Sequence, residues 1–220
     1  MRLKIYQINK DRDELGMMFR PFKATDNVDP KLYDKVFDAQ ASIETLEDAF
    51  ILFNQNEKHP LFYGHSMSVS DVVVTDEGSF YCDTFGFKKL DFDEKQTNSR
   101  DFIKVLFVRP HEDPYVAEIP DTLEAKQQAV GGYIEYVYNS DETALVGDEE
   151  AKLKNKAGNR YLDGGGIIAG DFLVVGLGEE DCRSLTDEEI EKYKNKYSNA
   201  PEITPEETAA DVGFKYISFM

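Results

Sequence analysis

With 220 residues the chain is long enough for one large core or two small ones, and two is the expectation, because domains commonly run to roughly 100 to 150 residues. Hydrophobic residues make up 41%, yet no apolar run approaches the roughly 20 residues that a membrane-spanning helix needs, which excludes that class. The formal net charge of -18 lies well beyond the magnitude of roughly 2 to 8 that suffices for a small soluble domain, and it argues against nucleic acid as a partner, since phosphate binding draws on lysine and arginine.

The first module, 1–93, opens on a strand whose hydrophobes are Leu3, Ile5, Tyr6 and Ile8, with an irregularity where the alternation slips. Asp29-Pro30 predicts a short helix: the carboxylate accepts from first-turn amides, and the proline occupies the first helical position at no hydrogen-bond cost. Ser42 opens another, in which Ile43, Leu46, Phe50 and Phe53 recur at three- and four-residue steps along a stripe about twelve residues long. Strands follow at 68–75, 79–83 and 85–90. This is an α+β module with helices on one face of a small sheet. The polar run 94–100 contains no hydrophobe and reads as a linker.

A second α+β module, 101–197, begins with the apolar strand 102–108 and a further strand at 115–119. Asp121 and Glu124 have capping-box-like spacing, and Leu123, Gln127 and Val130 line one face of a helix of about ten residues that Gly131-Gly132 stop. Strands at 133–138 and 143–146 are joined by Asn139-Ser140-Asp141-Glu142, a hairpin loop. After a strand at 171–176, Thr186 and Glu189 repeat the capping-box spacing. The closing helix puts Ile190, Tyr193 and Tyr197 on one face and Lys192, Lys194 and Lys196 toward its negative end. Residues 198–220, with Pro201, Pro205 and little apolar content, read as an extended tail whose last residues, 214–219, alternate enough to dock as a strand. The fold class is therefore α+β, two small mixed modules, each a short sheet with one or two helices packed on it.

Several segments invite chemistry. Gly64-His65-Ser66-Met67-Ser68 falls one residue short of a hydrolase nucleophile elbow, but a strand follows where that elbow needs a helix. It reads instead as a turn feeding a strand, with Ser66, Ser68 and Ser70 outward and Met67 and Val69 inward. Gly164-Gly165-Gly166-Ile167-Ile168-Ala169 and Gly176-Leu177-Gly178 resemble dinucleotide fingerprints in letters only. The first precedes a strand rather than a helix, and the second sets Glu179, Glu180 and Asp181 where phosphates would lie. His59, His65 and His111 lack metal-ligand spacing, and Asp71 and Asp83 read as turn or strand-end hydrogen-bonders. No catalytic constellation is recognisable, and neither cofactor nor metal is expected.

Most of the fifteen glycines fall between Gly131 and Gly178, where the backbone must turn left-handed or lie close to something else. Within that stretch the candidate binding residues are Gly131, Gly132, Glu135, Asn159, Arg160 and Gly170. An arginine beside turn glycines can fork onto a carboxylate or phosphate of a ligand, or close an internal ion pair with a nearby acid. Cys82 and Cys182 have no paired spacing and suit a reducing compartment as packing residues. The N-terminus alternates charge with hydrophobe and lacks a signal peptide's apolar region, so a cytoplasmic protein is expected.

Leu3-Lys4-Ile5-Tyr6-Gln7-Ile8-Asn9, Tyr33-Asp34-Lys35-Val36-Phe37-Asp38, Ser66-Met67-Ser68-Val69-Ser70-Asp71-Val72-Val73 and Gly86-Phe87-Lys88-Lys89 together resemble the YodL-like domain. Ala129-Val130-Gly131-Gly132-Tyr133-Ile134-Glu135, Gly158-Asn159-Arg160, Ile168-Ala169-Gly170 and Ser184-Leu185-Thr186 are similar to domain-of-unknown-function family 3846. The resemblance implies a setting in phages, conjugative elements and the gut bacteria that carry them, and it supplies no catalytic residue. It points to an accessory binding protein, not an enzyme, whose partner is a host protein and whose acidic surface serves counter-defence or imitates DNA. The plainer reading of the same acids is a surface that keeps the protein soluble. The alternative is a small-molecule or nucleotide-binding sensor or enzyme with its pocket between the Gly131-Gly132 turn and the 164–170 loop.

Overall fold

The computed structural model describes residues 1–23, 28–98, 101–179 and 181–211, and the chain divides at Phe102/Ile103 into two compact units. No helix among the described residues is long and apolar enough to cross a membrane.

The first unit is a five-stranded antiparallel sheet in the order β2-β1-β3-β4-β5, built from β1 (Arg2–Ile8), β2 (Tyr33–Gln40), β3 (Val72–Thr75), β4 (Gly78–Cys82) and β5 (Phe87–Leu90). The slip in alternation in β1 is a register shift against β2 between Ile5 and Tyr6. It lets adjacent residues both bury, as a bulge does. Tyr6 and Ile8 pack with Tyr33, Val72, Tyr81 and Phe92. Ile5 lies opposite Phe37, whose ring meets Phe53 at 4.8 Å between centroids.

Strand β2 had no sequence signal, because it buries charge: Lys35 and Asp38 pair with each other at 3.3 Å, and Arg2 reaches Asp38 at 2.7 Å. Two boundaries need correction. The helix α1 runs from Leu46 to Leu52, three residues later than Ser42 suggested, because Thr45 is its cap: Thr45 Oγ1 accepts from Asp48 N at 3.1 Å and Asp48 Oδ2 from Thr45 N at 2.9 Å. Ala49 and Phe53 then face the core and Phe50 is exposed. Residues 68–71 form a turn rather than the start of β3. There Ser70 has φ 83 and is buried rather than outward, its hydroxyl accepting from Phe19 N at 3.0 Å and its carbonyl from Tyr33 OH at 2.9 Å. The polar segment 94–98 is tied to the first unit, where Lys4 Nζ and Tyr6 OH donate to Glu94 at 2.8 and 2.5 Å.

The second unit contains β6 (Phe102–Val108), β7 (Tyr115–Pro120), α2 (Leu123–Val130), β8 (Ile134–Tyr138), β9 (Thr143–Asp148), β10 (Gly158–Tyr161), β11 (Ile167–Ala169), β12 (Phe172–Leu177), β13 (Cys182–Arg183), α3 (Asp187–Tyr197) and α4 (Pro205–Ala210). Its main sheet has the order β7-β6-β12-β9-β8, with β13 on the end of β12, while β10 and β11 form a separate ribbon. Helix α3 lays Ile190, Tyr193 and Tyr197 over Leu106, Val108, Leu145, Phe172 and Val174. Since side chains alternate along a strand, the equally buried Leu173 and Val175 point to the other face. Helix α2 lies against β12 and β9 there. Its cap is Thr122, not Asp121, so Ala125, Lys126, Ala129 and Val130 are the buried face and Leu123 points out.

The predicted tail is helical over α4. Thr204 and Glu207 make a full capping box with Pro205 at the first position. The strand expected at 214–219 lies outside the described residues.

Candidate functional site

Three of the six residues singled out by sequence, Gly131, Gly132 and Gly170, converge on one ion pair. Gly131 ends α2 in the left-handed region, at φ 69, and Lys156 caps that end, its ammonium donating to Val130 O at 2.8 Å and Gly131 O at 2.9 Å. The same ammonium lies 2.6 Å from Asp148 Oδ2. A Cβ on Gly132 would fall 2.2 Å from Asp148 Oδ1, and one on Gly170 would fall 2.7 Å from the Lys156 stem. Burial pushes the Asp148 carboxyl up, but bonds from Lys156, Glu150 N and Lys154 outweigh it and hold the group below the usual carboxylate range. Gly132 and Gly170 thus each leave room for one member of this ion pair.

Asn159 and Arg160 close the same region from β10. Asn159 is fully buried and spends both amide hydrogens, on Val108 O at 3.1 Å and Gly170 O at 2.6 Å. Arg160, only 3% exposed, uses its whole fork. Nε and Nη2 reach Tyr197 O, Nη2 also reaches Glu112 O, and Nη1 reaches the backbone and side-chain oxygens of Asn159. The expected internal acid is replaced by carbonyls because Tyr197 ends α3, where the last carbonyls lack helical partners and a cation is favoured. Burial holds the guanidinium below its ordinary pKa. No donor of either residue is left for a ligand. Glu135 stands apart, exposed on the edge strand β8 opposite Gly147.

A cleft of about 470 Å³ does reach Gly164, between α3 and the β8–β9 hairpin, lined in part by Tyr138, Leu162, Lys192, Tyr193 and Lys196. Its two ammonium groups are already neutralised, Lys192 on Asp141 and Lys196 on Asp163, each at 2.6 Å. In the first unit, the elbow-like turn wraps a glutamine: Gln7 Oε1 accepts from His65 N at 3.0 Å, and Gln7 Nε2 donates to Asp71 Oδ2 at 2.8 Å. Asp71 Oδ2 also accepts from Ser68 N at 2.8 Å. Burial, only partly opposed by these bonds, raises the Asp71 carboxyl to about 7. Ser68 Oγ meets a carbonyl, Ser66 O, rather than a base.

What sequence reasoning missed is a surface. Phe85 is 85% exposed at the tip of the β4–β5 hairpin, and Ile51 is 60% exposed on α1. The Glu47 carboxylate stands 3.8 Å from where a Cβ on Gly86 would lie, and residues four apart share a helix face. The hairpin tip and the Ile51 flank of α1 are thus adjacent. Glu47 borders this patch, and it forms no ion pair with another described residue. The signal was Thr45-Leu46-Glu47-Asp48, the cap of a helix that buries Ala49 and leaves Phe50 and Ile51 exposed.

Family models match both parts of the chain, a YodL-like domain at residues 2–92 and a domain of unknown function (DUF3846) at residues 103–198. No curated protein and no solved structure matches it.

Proposed function

From a chain that carries a YodL-like domain over residues 2–92 and a domain of unknown function (DUF3846) over residues 103–198, we propose a binding protein whose YodL-like domain docks a basic protein partner. Docking occurs on the patch formed by Ile51, Phe85 and Glu47. The observation that carries this reading is the pairing of exposed aromatic and aliphatic side chains with an unpaired carboxylate in a chain of net charge -18. Apolar groups exposed together mark interaction sites, and an acidic rim selects a cationic partner and speeds its encounter. The partner is a factor of the host cell, met in the cytoplasm, and in a phage or other mobile element such binding would serve counter-defence by occupying a surface meant for DNA.

Capture from a host lysate at rising salt tests the reading. A basic protein retained at low salt, released as screening increases and lost with Phe85→Ser supports it. A set of captured proteins that ignores both salt and Phe85→Ser overturns it.

The cleft beside Gly164 favours a second reading, a small-molecule sensor. Thermal shift against a nucleotide and metabolite panel decides it, because a ligand at a hundred times its dissociation constant stabilises by about 2.7 kcal/mol.

A further inference from the structure

The main sheet of the second unit ends on one side in an open strand. β8 pairs with β9 in one unbroken antiparallel register and with no other described strand. At the two ends of that ladder Tyr133 O accepts from Glu149 N at 2.9 Å and Asn139 N donates to Thr143 O at 3.1 Å, so residues 133, 135, 137 and 139 direct their backbone groups at β9. The alternate residues, Ile134, Tyr136 and Tyr138, direct their N–H and C=O groups away from it, and no described residue bonds to them. Such an edge is a template for another strand.

The chain leaves α4 close to this edge. Asp211 Oδ2 accepts from Ile167 N at 2.7 Å and from Lys152 Nζ at 2.6 Å. Ile168, next along β11, lies over Gly147, where a Cβ would fall 3.3 Å from Ile168 Cδ1, and Gly147 is opposite Glu135 on β8. Residues paired across strands share a face of the sheet, so Asp211 stands on the Glu135 face, toward the N-terminal end of β8. The Glu135 carboxyl agrees: partial burial lifts it, and the charge of Lys152, which is paired with Asp211, opposes that lift. Residues 212–220 follow and lie outside the described residues. Their sequence alternates over 214–219, with Phe214, Tyr216 and Ser218 at one parity and Lys215, Ile217 and Phe219 at the other. Six residues of strand span about 20 Å, enough to cover the 5 residues of β8, and Val212-Gly213 remain to bridge from Asp211.

We propose that residues 214–219 add to the sheet as a further strand on β8, parallel to it, with Lys215 beside Glu135, Tyr216 beside Tyr136 and Ile217 beside Val137. Entry at the Glu135 end sets the direction. Charge supports the register, since Glu135 has no ion-pair partner among the described residues and Lys215 supplies one. Shape supports it too. Val137 lines the cleft of about 470 Å³ beside α3, so Ile217 and Phe219, on the same face, cover the mouth of that cleft. The backbone groups of Ile134, Tyr136 and Tyr138 gain partners, and the edge is closed to other chains.

Amide hydrogen exchange of the full-length protein, resolved by residue with NMR, tests the docking. The amides of Ile134, Tyr136 and Tyr138 should be protected in the wild type. In a chain stopped after Asp211 their protection should fall at least about tenfold, as for the loss of two or more net hydrogen bonds, while Val137, bonded to β9, changes less. Lys215→Glu and Glu135→Lys should each lower the protection of Tyr136, and the two together should restore most of it. Should the stopped chain not fold, Ile217→Pro takes its place, because it lacks the amide that donates to Tyr136 O in this register, and it should lower the same protection. Equal exchange of the three amides in wild type and in the stopped chain or Ile217→Pro would overturn the docking. So would protection that rises with protein concentration, which would make a second copy the occupant, or a doubly exchanged protein no better protected than either single variant.

Discussion

Arg160 donates twice to one acceptor, the Tyr197 carbonyl, from Nε at 3.0 Å and from Nη2 at 2.7 Å. That fork pins the ribbon of β10 and β11 to the end of α3. Arg160→Ala should therefore lower unfolding free energy by about 3 kcal/mol, because buried carbonyls lose charged donors, while partner capture by the refolded protein stays unchanged. Arg160→Lys should recover little, since an ammonium cannot reproduce the planar fork. Urea titration and capture on the same preparations check both. Loss of capture with unchanged stability would return Arg160 to a binding role.

Asp71 sets a pH dependence with a definite sign. Burial lifts its carboxyl from the usual range to about 7, so between those limits the folded chain holds a proton that the unfolded chain has released. Stability from this group is therefore fully present in acid, falls as pH rises from the usual carboxylate range to about 7, and is level above that. The asparagine variant keeps an oxygen for Ser68 N and Gln7 Nε2 but cannot ionise. The difference in melting temperature, Asp71→Asn minus wild type, should grow from pH 4 to pH 8. A difference that is constant or shrinks with pH contradicts the assignment.

Gly158 is where α4 docks. A Cβ there would lie 2.5 Å from Ile203 Cγ2 and 2.6 Å from Thr208 Oγ1, and backbone and side chain cannot both be kept. Gly158→Ala should destabilise by about 1 to 3 kcal/mol, as overpacking does, and speed proteolysis within 203–210. Gly164, with nothing within 4 Å of its Cβ position, is the control: Gly164→Ala should stay within about 0.5 kcal/mol of wild type. Equal effects at the two glycines would refute the packing argument.

Legibility from sequence followed the locality of the physics. The cap Thr186-Asp187-Glu188-Glu189, the stop at Gly131 and the hairpin over 133–146 are decided within a few residues, and the structure has each of them. The bulge in β1 showed as a slip between Ile5 and Tyr6. Strand β2 did not show, because its buried Asp38 is paired by Arg2 of the neighbouring strand, far away in sequence. Helix α4 was legible in Thr204-Pro205-Glu206-Glu207, but two prolines and sparse hydrophobes suggested extension. As for the candidate site, sequence located the residues around Gly131, Gly170 and Arg160 but not their occupants. Lys156, 25 residues from Gly131, and Asp148 fill that space by long-range pairing, which no local pattern encodes.

The central claim is that an acid-rimmed apolar patch on the YodL-like domain receives a cationic partner. The most direct test is the salt dependence of capture by three full-length proteins: wild type, Glu47→Lys and Phe85→Ser. The account predicts that apparent affinity of the wild type falls steeply with salt, that charge reversal weakens binding at low salt and flattens the slope, and that Phe85→Ser weakens binding with the slope kept. Identical curves for all three proteins would contradict it.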